Sequence, residues 1–229
     1  MSRIYPHTAM ILAAGRGTRM QPLTEQTPKP LLKAGDKPLI VWQITRLAAA
    51  GIRRIVINHA WLGEQIVQTL GDGTQWDVQI QYSAESPDAR LETGGGIRQA
   101  LPLLGDQPFL VVNADIWCDL TLNQLSLPTD NLAHVVLVPN PEHHPDGDFH
   151  LTPDGRVTNQ SIPRYTYSGI GIYHPNLFCN LPVDTYPLAP ILHQAAELGK
   201  ISGICYTGHW MDIGTPQRLT TLRQQLTAY

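Results

Sequence analysis

Ala9-Met10-Ile11-Leu12-Ala13-Ala14-Gly15-Arg16-Gly17-Thr18-Arg19-Met20-Gln21-Pro22-Leu23-Thr24, continued by Thr27-Pro28-Lys29-Pro30-Leu31-Leu32, is the stretch from which the remaining sequence is read. Thr8 to Ala13 is short, apolar and followed by glycine, the pattern of a buried strand. Gly15 to Pro30 is then a long loop. Its small residues let a ligand approach the backbone closely, and free N–H groups there can cradle phosphate oxygens. Arg16, Arg19 and Lys29 add the positive charge that a polyphosphate needs. The prolines on either side of Lys29 restrict the backbone that aims its ammonium. Together these features point to a nucleoside triphosphate site.

Outward from that stretch, strands and helices alternate. Pro38 fits a first helical turn, apolar residues recur at helical spacing from Leu39 to Ala48, and Gly51 ends the helix. Arg54–Asn58 reads as a strand and Leu62–Leu70 as a helix. Val78–Tyr82 is a third strand. Leu91–Gly96 is a turn leading to a helix over Ile97–Leu104, and Pro108–Asn113 is a fourth strand running to Asp115. Such alternation predicts an α/β fold, a mostly parallel Rossmann-like sheet flanked by helices in three layers. Ligands of these sheets bind at the carboxyl ends of the strands, where the glycine loop, the Glu92 turn and Asp115 all fall. Beyond residue 120, strands are expected at Ala133–Pro139, Tyr167–Tyr173 and Ile201–Tyr206, with a hairpin turning at Asp154-Gly155. Helices are expected at Leu188–Leu198 and after Thr215-Pro216, the latter with Leu219, Leu222 and Leu226 on one face. No linker, repeat or low-complexity segment divides the chain, so 1–229 reads as a single domain. Residues 1–120 form its nucleotide half and 121–229 a packed half for the other substrate.

Composition narrows the classes. With 42% hydrophobic and 15% charged residues among 229, the chain is globular and can bury a core. A net charge of −3 gives no footprint for a nucleic-acid polymer. Cys118, Cys179 and Cys205 are scattered, which suits reduced thiols in the cytoplasm better than a disulfide scaffold or a zinc site. The N-terminus lacks a signal-peptide core, and no apolar run reaches the roughly 18 residues of a membrane span.

The loop begins like a dinucleotide-binding GxGxxG, but Met20 stands where the third glycine belongs, and the loop is too long and cationic for a tight strand-to-helix turn. Leu12-Ala13-Ala14-Gly15-Arg16-Gly17-Thr18-Arg19-Met20 with Pro28-Lys29-Pro30 instead resembles the signature of sugar-1-phosphate nucleotidyltransferases. Asn58–Gly63, Leu91–Ile97, Val112–Trp117 and Gly208–Thr215 extend the resemblance over nearly the whole chain. They match one branch of that family, which joins UTP to N-acetylmuramic acid 1-phosphate in bacterial cell-wall recycling.

The resemblance implies roles. Leu12, Ala13, Ala14, Gly15, Gly17 and Thr18 would bind the nucleotide, with Arg19 on its β- and γ-phosphates. Lys29 would bridge the α-phosphate and the sugar phosphate. Glu92, Thr93 and Gly94 occupy the turn that contacts base and ribose, with Glu92 where many relatives have glycine, and Asn113 joins the nucleotide set. Asp115 and Asp212 match the two metal carboxylates. Mg²⁺ favours such hard oxygen ligands, and a carboxylate in apolar company such as Met211 and Ile213 needs a partner. Asp115, Asp148, Ser168 and Gly169 are the expected sugar-phosphate contacts, and Arg90 and Arg164 the candidates for the lactyl carboxylate. His143-His144 border the sugar pocket, His59 and His209 read as structural, and Glu85–Arg90 as a solvated loop. The expected cofactor is Mg²⁺, and the expected partners are the two small substrates, with a monomer favoured. Other sugar-1-phosphate or phosphocholine substrates, a non-catalytic regulatory subunit and a nicotinamide-dependent dehydrogenase are the alternatives.

Overall fold

The computed structural model describes residues 2–86, 91–160 and 162–227. Four parallel strands form the centre. β1 (Thr8–Leu12) lies between β2 (Arg54–His59) and β4 (Phe109–Asn113), and β3 (Gln79–Ala84) flanks β2. β1 and β4 are almost wholly apolar because both faces are covered, the pattern of a central parallel strand, whereas the edge strand β3 alternates polar and apolar residues. The crossovers run through α1 (Leu39–Ala49), α2 (Gly63–Leu70) and α3 (Glu92–Leu104). The order β3-β2-β1-β4 reverses direction between β1 and β4. That reversal opens a crevice at their carboxyl ends.

β5 (Ile116–Cys118) follows β4 directly, and β6 (Ala133–Val138) begins the second half. β7 (Phe149–Leu151) and β8 (Val157–Thr158) form the small hairpin, with Gly155 at φ +82° in its turn. β9 (Arg164–Tyr173) then joins the halves. It runs antiparallel to β4 through Ile170–Tyr173, to β7 at its start and to β6 along most of its length. α4 (Leu188–Glu197) and β10 (Ile201–Cys205) follow, β10 parallel to β6, and β11 (Trp210–Asp212) pairs antiparallel with β5. α5 (Pro216–Thr227) closes the chain. Phe109, Tyr173 and Phe178 stack in one buried cluster under the β4–β9 seam, with ring centroids 5.9 to 6.4 Å apart. The α/β expectation therefore holds, with an antiparallel extension. No helix among the described residues is long and apolar enough to cross a membrane.

Four differences from the sequence reading have physical causes. β9 begins at Arg164, three residues early, because its start pairs with the hairpin. β5 and β11 were not expected, since three-residue strands show no periodicity. α3 begins at Glu92, not Ile97, so three consecutive glycines lie inside a helix. Helical glycine costs about 1 kcal/mol against alanine, and tertiary contacts explain each one. A Cβ on Gly94 would meet Tyr186 at 2.7 Å, one on Gly95 the Asp184 carbonyl at 2.1 Å, and one on Gly96 the Glu85 carboxyl at 2.6 Å. Lastly, α5 packs Leu219 and Leu222 against Met20, Leu32, Ala34 and Leu39, so the end of the second half is built into the first.

His134 on β6 is buried, and its Nδ1 lies 2.8 Å from Ser202 Oγ. Burial, assisted by the charge of Arg3, pushes its pKa down to about 4. The unfolded chain therefore takes up the proton first, near pH 6.5. The resulting stability is present above that pH and is lost as pH falls through the interval down to about 4. Between pH 7 and 4 the wild type should lose up to ~3 kcal/mol more than His134→Gln in urea unfolding; parallel losses in the two proteins would refute this.

Candidate active site

The crevice at the β1–β4 reversal contains a cavity of about 280 Å³. Leu12, Ala13, Ala14, Gly15 and Arg16 form one wall, Lys29 and Pro30 its floor, and Asn113, Ala114 and Asp115 the edge of β4. Asn58, Ala60 and Trp61 come from the end of β2, Glu85 from just beyond β3, and Glu92 and Thr93 from the start of α3.

The glycine loop presents backbone donors to the cavity. Ala13 N–H donates to Asn58 Oδ1 at 2.8 Å, and Met20 N–H to the Gly17 carbonyl at 2.8 Å. Between them, the N–H groups of Ala14, Gly15, Arg16 and Gly17 meet no protein acceptor among the described residues. Unpaired consecutive donors need an anion or water. Gly17 has φ +66°, and a Cβ there would crowd Thr24 at 3.1 Å and Lys29 at 3.2 Å, so glycine is required on both counts. The Arg16 guanidinium rests 4.6 Å from the Trp61 ring centroid, and the indole N–H donates to the Thr24 carbonyl at 3.2 Å. Gly17, Thr18 and Arg19 lie outside the cavity wall. Arg19 is instead near Gly214, its Cζ 3.5 Å from where a Cβ would sit.

Behind the cavity runs a buried polar chain. Asn58 Nδ2 donates to Glu85 Oε1 at 2.6 Å, and burial pushes the Glu85 carboxyl above its usual range despite that bond. Glu85 is thus a buried cavity residue rather than part of a solvated loop, while residues 87–90, Arg90 among them, lie outside the described residues. Glu92 keeps a backbone suited to glycine, φ +56°. Gly94 does not face the cavity. Its N–H and that of Gly95 donate to the Tyr186 carbonyl at 3.0 and 3.2 Å.

Asp115 follows β4, and Lys29, nearly buried in a short 3₁₀ turn between Pro28 and Pro30, forms an ion pair with its carboxylate. Ile213 N–H donates to the Asp115 carbonyl at 2.7 Å, and Asp212 sits opposite Ile116 in the β5–β11 ribbon. The ribbon therefore sets the backbone of Asp212 beside the segment that carries Asp115, across almost a hundred residues. Asp212 pairs through Oδ2 with Arg218 of α5, and its Oδ1 lies 3.2 Å from His143 Nε2. Two hard carboxylates suit a divalent cation that takes its other ligands from phosphate and water. No cluster of three His, Cys, Asp or Glu able to hold a metal exists among the described residues, so the remaining ligand positions would fall to substrate and solvent.

The second-half candidates are placed unevenly. A Cβ on Gly169 (φ +80°) would lie 2.7 Å from Asn113 Nδ2, so this glycine fits β9 against the cavity edge. Ser168 is buried; its Oγ accepts from Ile170 N–H at 3.2 Å and its carbonyl from the Trp210 indole at 2.9 Å. Asp148 accepts from Tyr167 N–H at 2.7 Å and lies 3.0 Å from His144 Nε2. Both side chains thus hold backbone and loop. Arg164 donates to the Asn159 carbonyl at 2.7 Å beside the hairpin. His59 packs on Tyr82 and against Gly63, a structural placement.

Pro30, Asn58, Ala60, Trp61, Glu85 and Ala114 line the cavity without having been assigned to it from sequence. A signal existed: once β2 and β3 are parallel to β1, their ends must open on the same side.

Residues 8–147 match the nucleotidyl transferase family. N-acetylmuramate alpha-1-phosphate uridylyltransferase of Neisseria meningitidis is 52% identical over 92% of this chain and 94% of its own length. The protein of that name from Caulobacter vibrioides is 33% identical over 93% of each. The structure of HddC from Yersinia pseudotuberculosis, complexed with GMP-PN, superposes with a TM-score of 0.77 at 20% identity, covering 96% of this chain and 99% of that one. That structural likeness speaks for the fold, and the sequence likeness goes further: the chain belongs to the nucleotidyl transferase family.

Proposed function

We propose that this enzyme transfers a uridylyl group from UTP to N-acetylmuramic acid 1-phosphate, forming the UDP-sugar and pyrophosphate. The observation that carries this reading is near-full-length 52% identity to a uridylyltransferase of that specificity. The cleft supports it, with four loop amides that meet no protein acceptor among the described residues, flanking cations and Asp115 and Asp212 on neighbouring segments.

A phosphate oxygen of the sugar attacks the α-phosphorus, a new P–O bond forms, and the bond to the β-phosphate oxygen breaks. The nucleophile is already anionic, so no general base is required. Catalysis rests on positioning and charge neutralisation. Residues 1–120 hold the nucleotide: the amides of residues 14–17 cradle the triphosphate, with Arg16 and Arg19 on its outer oxygens. Lys29 stands between the α-phosphate and the incoming phosphate. Asp115 and Asp212 are the residues that would hold Mg²⁺, which supplies charge neutralisation at the α-phosphate. Residues 121–229 shape the sugar side through Gly169 and the loop fastened by Asp148 and His144. The setting we propose is peptidoglycan recycling in the cytoplasm, by a monomer.

A substrate panel read by pyrophosphate release tests the assignment. Turnover should be greatest with UTP and N-acetylmuramic acid 1-phosphate and should need a divalent metal; equal turnover with mannose 1-phosphate and GTP would overturn it. Lys29→Ala should lower kcat by at least ~10², and near-normal pyrophosphate release would remove its role. Arg16→Ala should raise the KM for UTP by ~5-fold with kcat little changed; steady-state kinetics with UTP varied would show an unchanged KM if Arg16 met only Trp61.

A further inference from the structure

Asp115 and Asp212, the two aspartates of the site, each already carry a cation. Asp115 holds the Lys29 ammonium. Asp212 holds the Arg218 guanidinium on Oδ2 and faces His143 on Oδ1, so both of its oxygens have partners. Arg218 also reaches the Asp212 carbonyl, at 3.5 Å. Its helix is anchored by Leu219 and Leu222 in a cluster shared with Met20 and Ile213, so the guanidinium is delivered from a fixed base. Arg19 completes the group at Gly214, where a Cβ would lie 3.0 Å from Asp212 Oδ2, 3.1 Å from Arg218 Nη1 and 3.5 Å from Arg19 Cζ.

The charges decide what this group attracts. Asp115 and Asp212 face Lys29, Arg218 and Arg19, which leaves a net positive cluster before His143 or Arg16 is counted. A bare divalent cation meets carboxylates that are paired and a field that repels it. A metal bound to a polyphosphate arrives as an anion. Its oxygens offer the displaced guanidinium and ammonium new charge-assisted hydrogen bonds. The exchange therefore keeps every cation partnered only when metal and phosphate come together.

We infer that Arg218 is the built-in counter-cation of Asp212, and that through it the chain holds free divalent metal weakly and takes it up as the metal–nucleotide complex. This rests on the proposed assignment of the cleft. Arg218 acts through Asp212 and is a positioning residue.

The test uses Mn²⁺ as the probe on the full chain, with no sugar phosphate, so no turnover occurs. Titration followed by electron paramagnetic resonance gives the Mn²⁺ affinity of the protein alone. Calorimetry gives UTP affinity with and without Mn²⁺. The wild type should bind Mn²⁺ alone weakly and UTP far better with Mn²⁺ present. Arg218→Gln should bind Mn²⁺ alone at least ~3-fold tighter, while Arg218→Lys, which keeps the charge, stays near wild type. A purely structural role would loosen metal binding or leave it unchanged. Micromolar Mn²⁺ affinity of the wild type without nucleotide overturns the inference and leaves the cleft assignment standing. So does an Arg218→Gln protein that binds Mn²⁺ no tighter. If Arg218→Gln fails to fold, the wild-type titration decides alone. Failure of the wild type to bind UTP even with Mn²⁺ removes both the assignment and the inference.

Discussion

The hydrogen bond from Ile213 N–H to the Asp115 carbonyl, 2.7 Å long, fastens the C-terminal ribbon to the end of β4. The placement of Asp212 depends on that junction. Asp115 is placed by the sheet, but Asp212 arrives only because β11 pairs with β5, residue 212 opposite residue 116. Gln43, wholly buried on α1, donates to the Ile116 carbonyl at 2.5 Å and so ties the ribbon to the first helix. A short ribbon with few ladder bonds is weak alone. Its position is secured by Ile213, Leu219 and Leu222 in a buried cluster with Met20 and Leu39. The phosphate loop and the second carboxylate are therefore held by one core.

The nucleotide side relies on a different device, close approach without side chains. Gly94, Gly95 and Gly96 let the segment around Asp184–Tyr186 and the Asn58–Glu85 pair pack against α3. The start of α3 then sits where Glu92 and Thr93 reach the cavity. The helix keeps three poor helix formers because the contacts outweigh their propensity. The same packing consumes the N–H groups of Gly94 and Gly95, whereas those of residues 14–17 in the loop after β1 meet no protein acceptor among the described residues.

Charge in the cleft is arranged in two tiers. Arg16 and Arg19 pair with no carboxylate among the described residues. Lys29 and Arg218 are engaged by Asp115 and Asp212. The free tier suits the first encounter with a polyphosphate, and the engaged tier suits a later exchange of partners. Pyrophosphate is a highly charged leaving group, and a site that shares its charge among fixed cations needs little reorganisation during reaction.

The sequence by itself determined the parallel core, the carboxyl-end location of the site, and the loop with Lys29 between prolines. These follow from local facts: apolar runs of strand length, glycine punctuation and the rule that parallel strands open ligand sites at one end. It also named Asp115 and Asp212 through resemblance. Only the tertiary structure decided how their two segments meet, since pairing of three-residue strands leaves no periodic trace. Likewise, only the fold shows that Glu85 is buried, that Ser168 and Asp148 serve the backbone, that Gly94 faces Tyr186 and that Arg218 covers Asp212. Those outcomes depend on which distant groups share a space, and a residue's immediate neighbours carry no record of that.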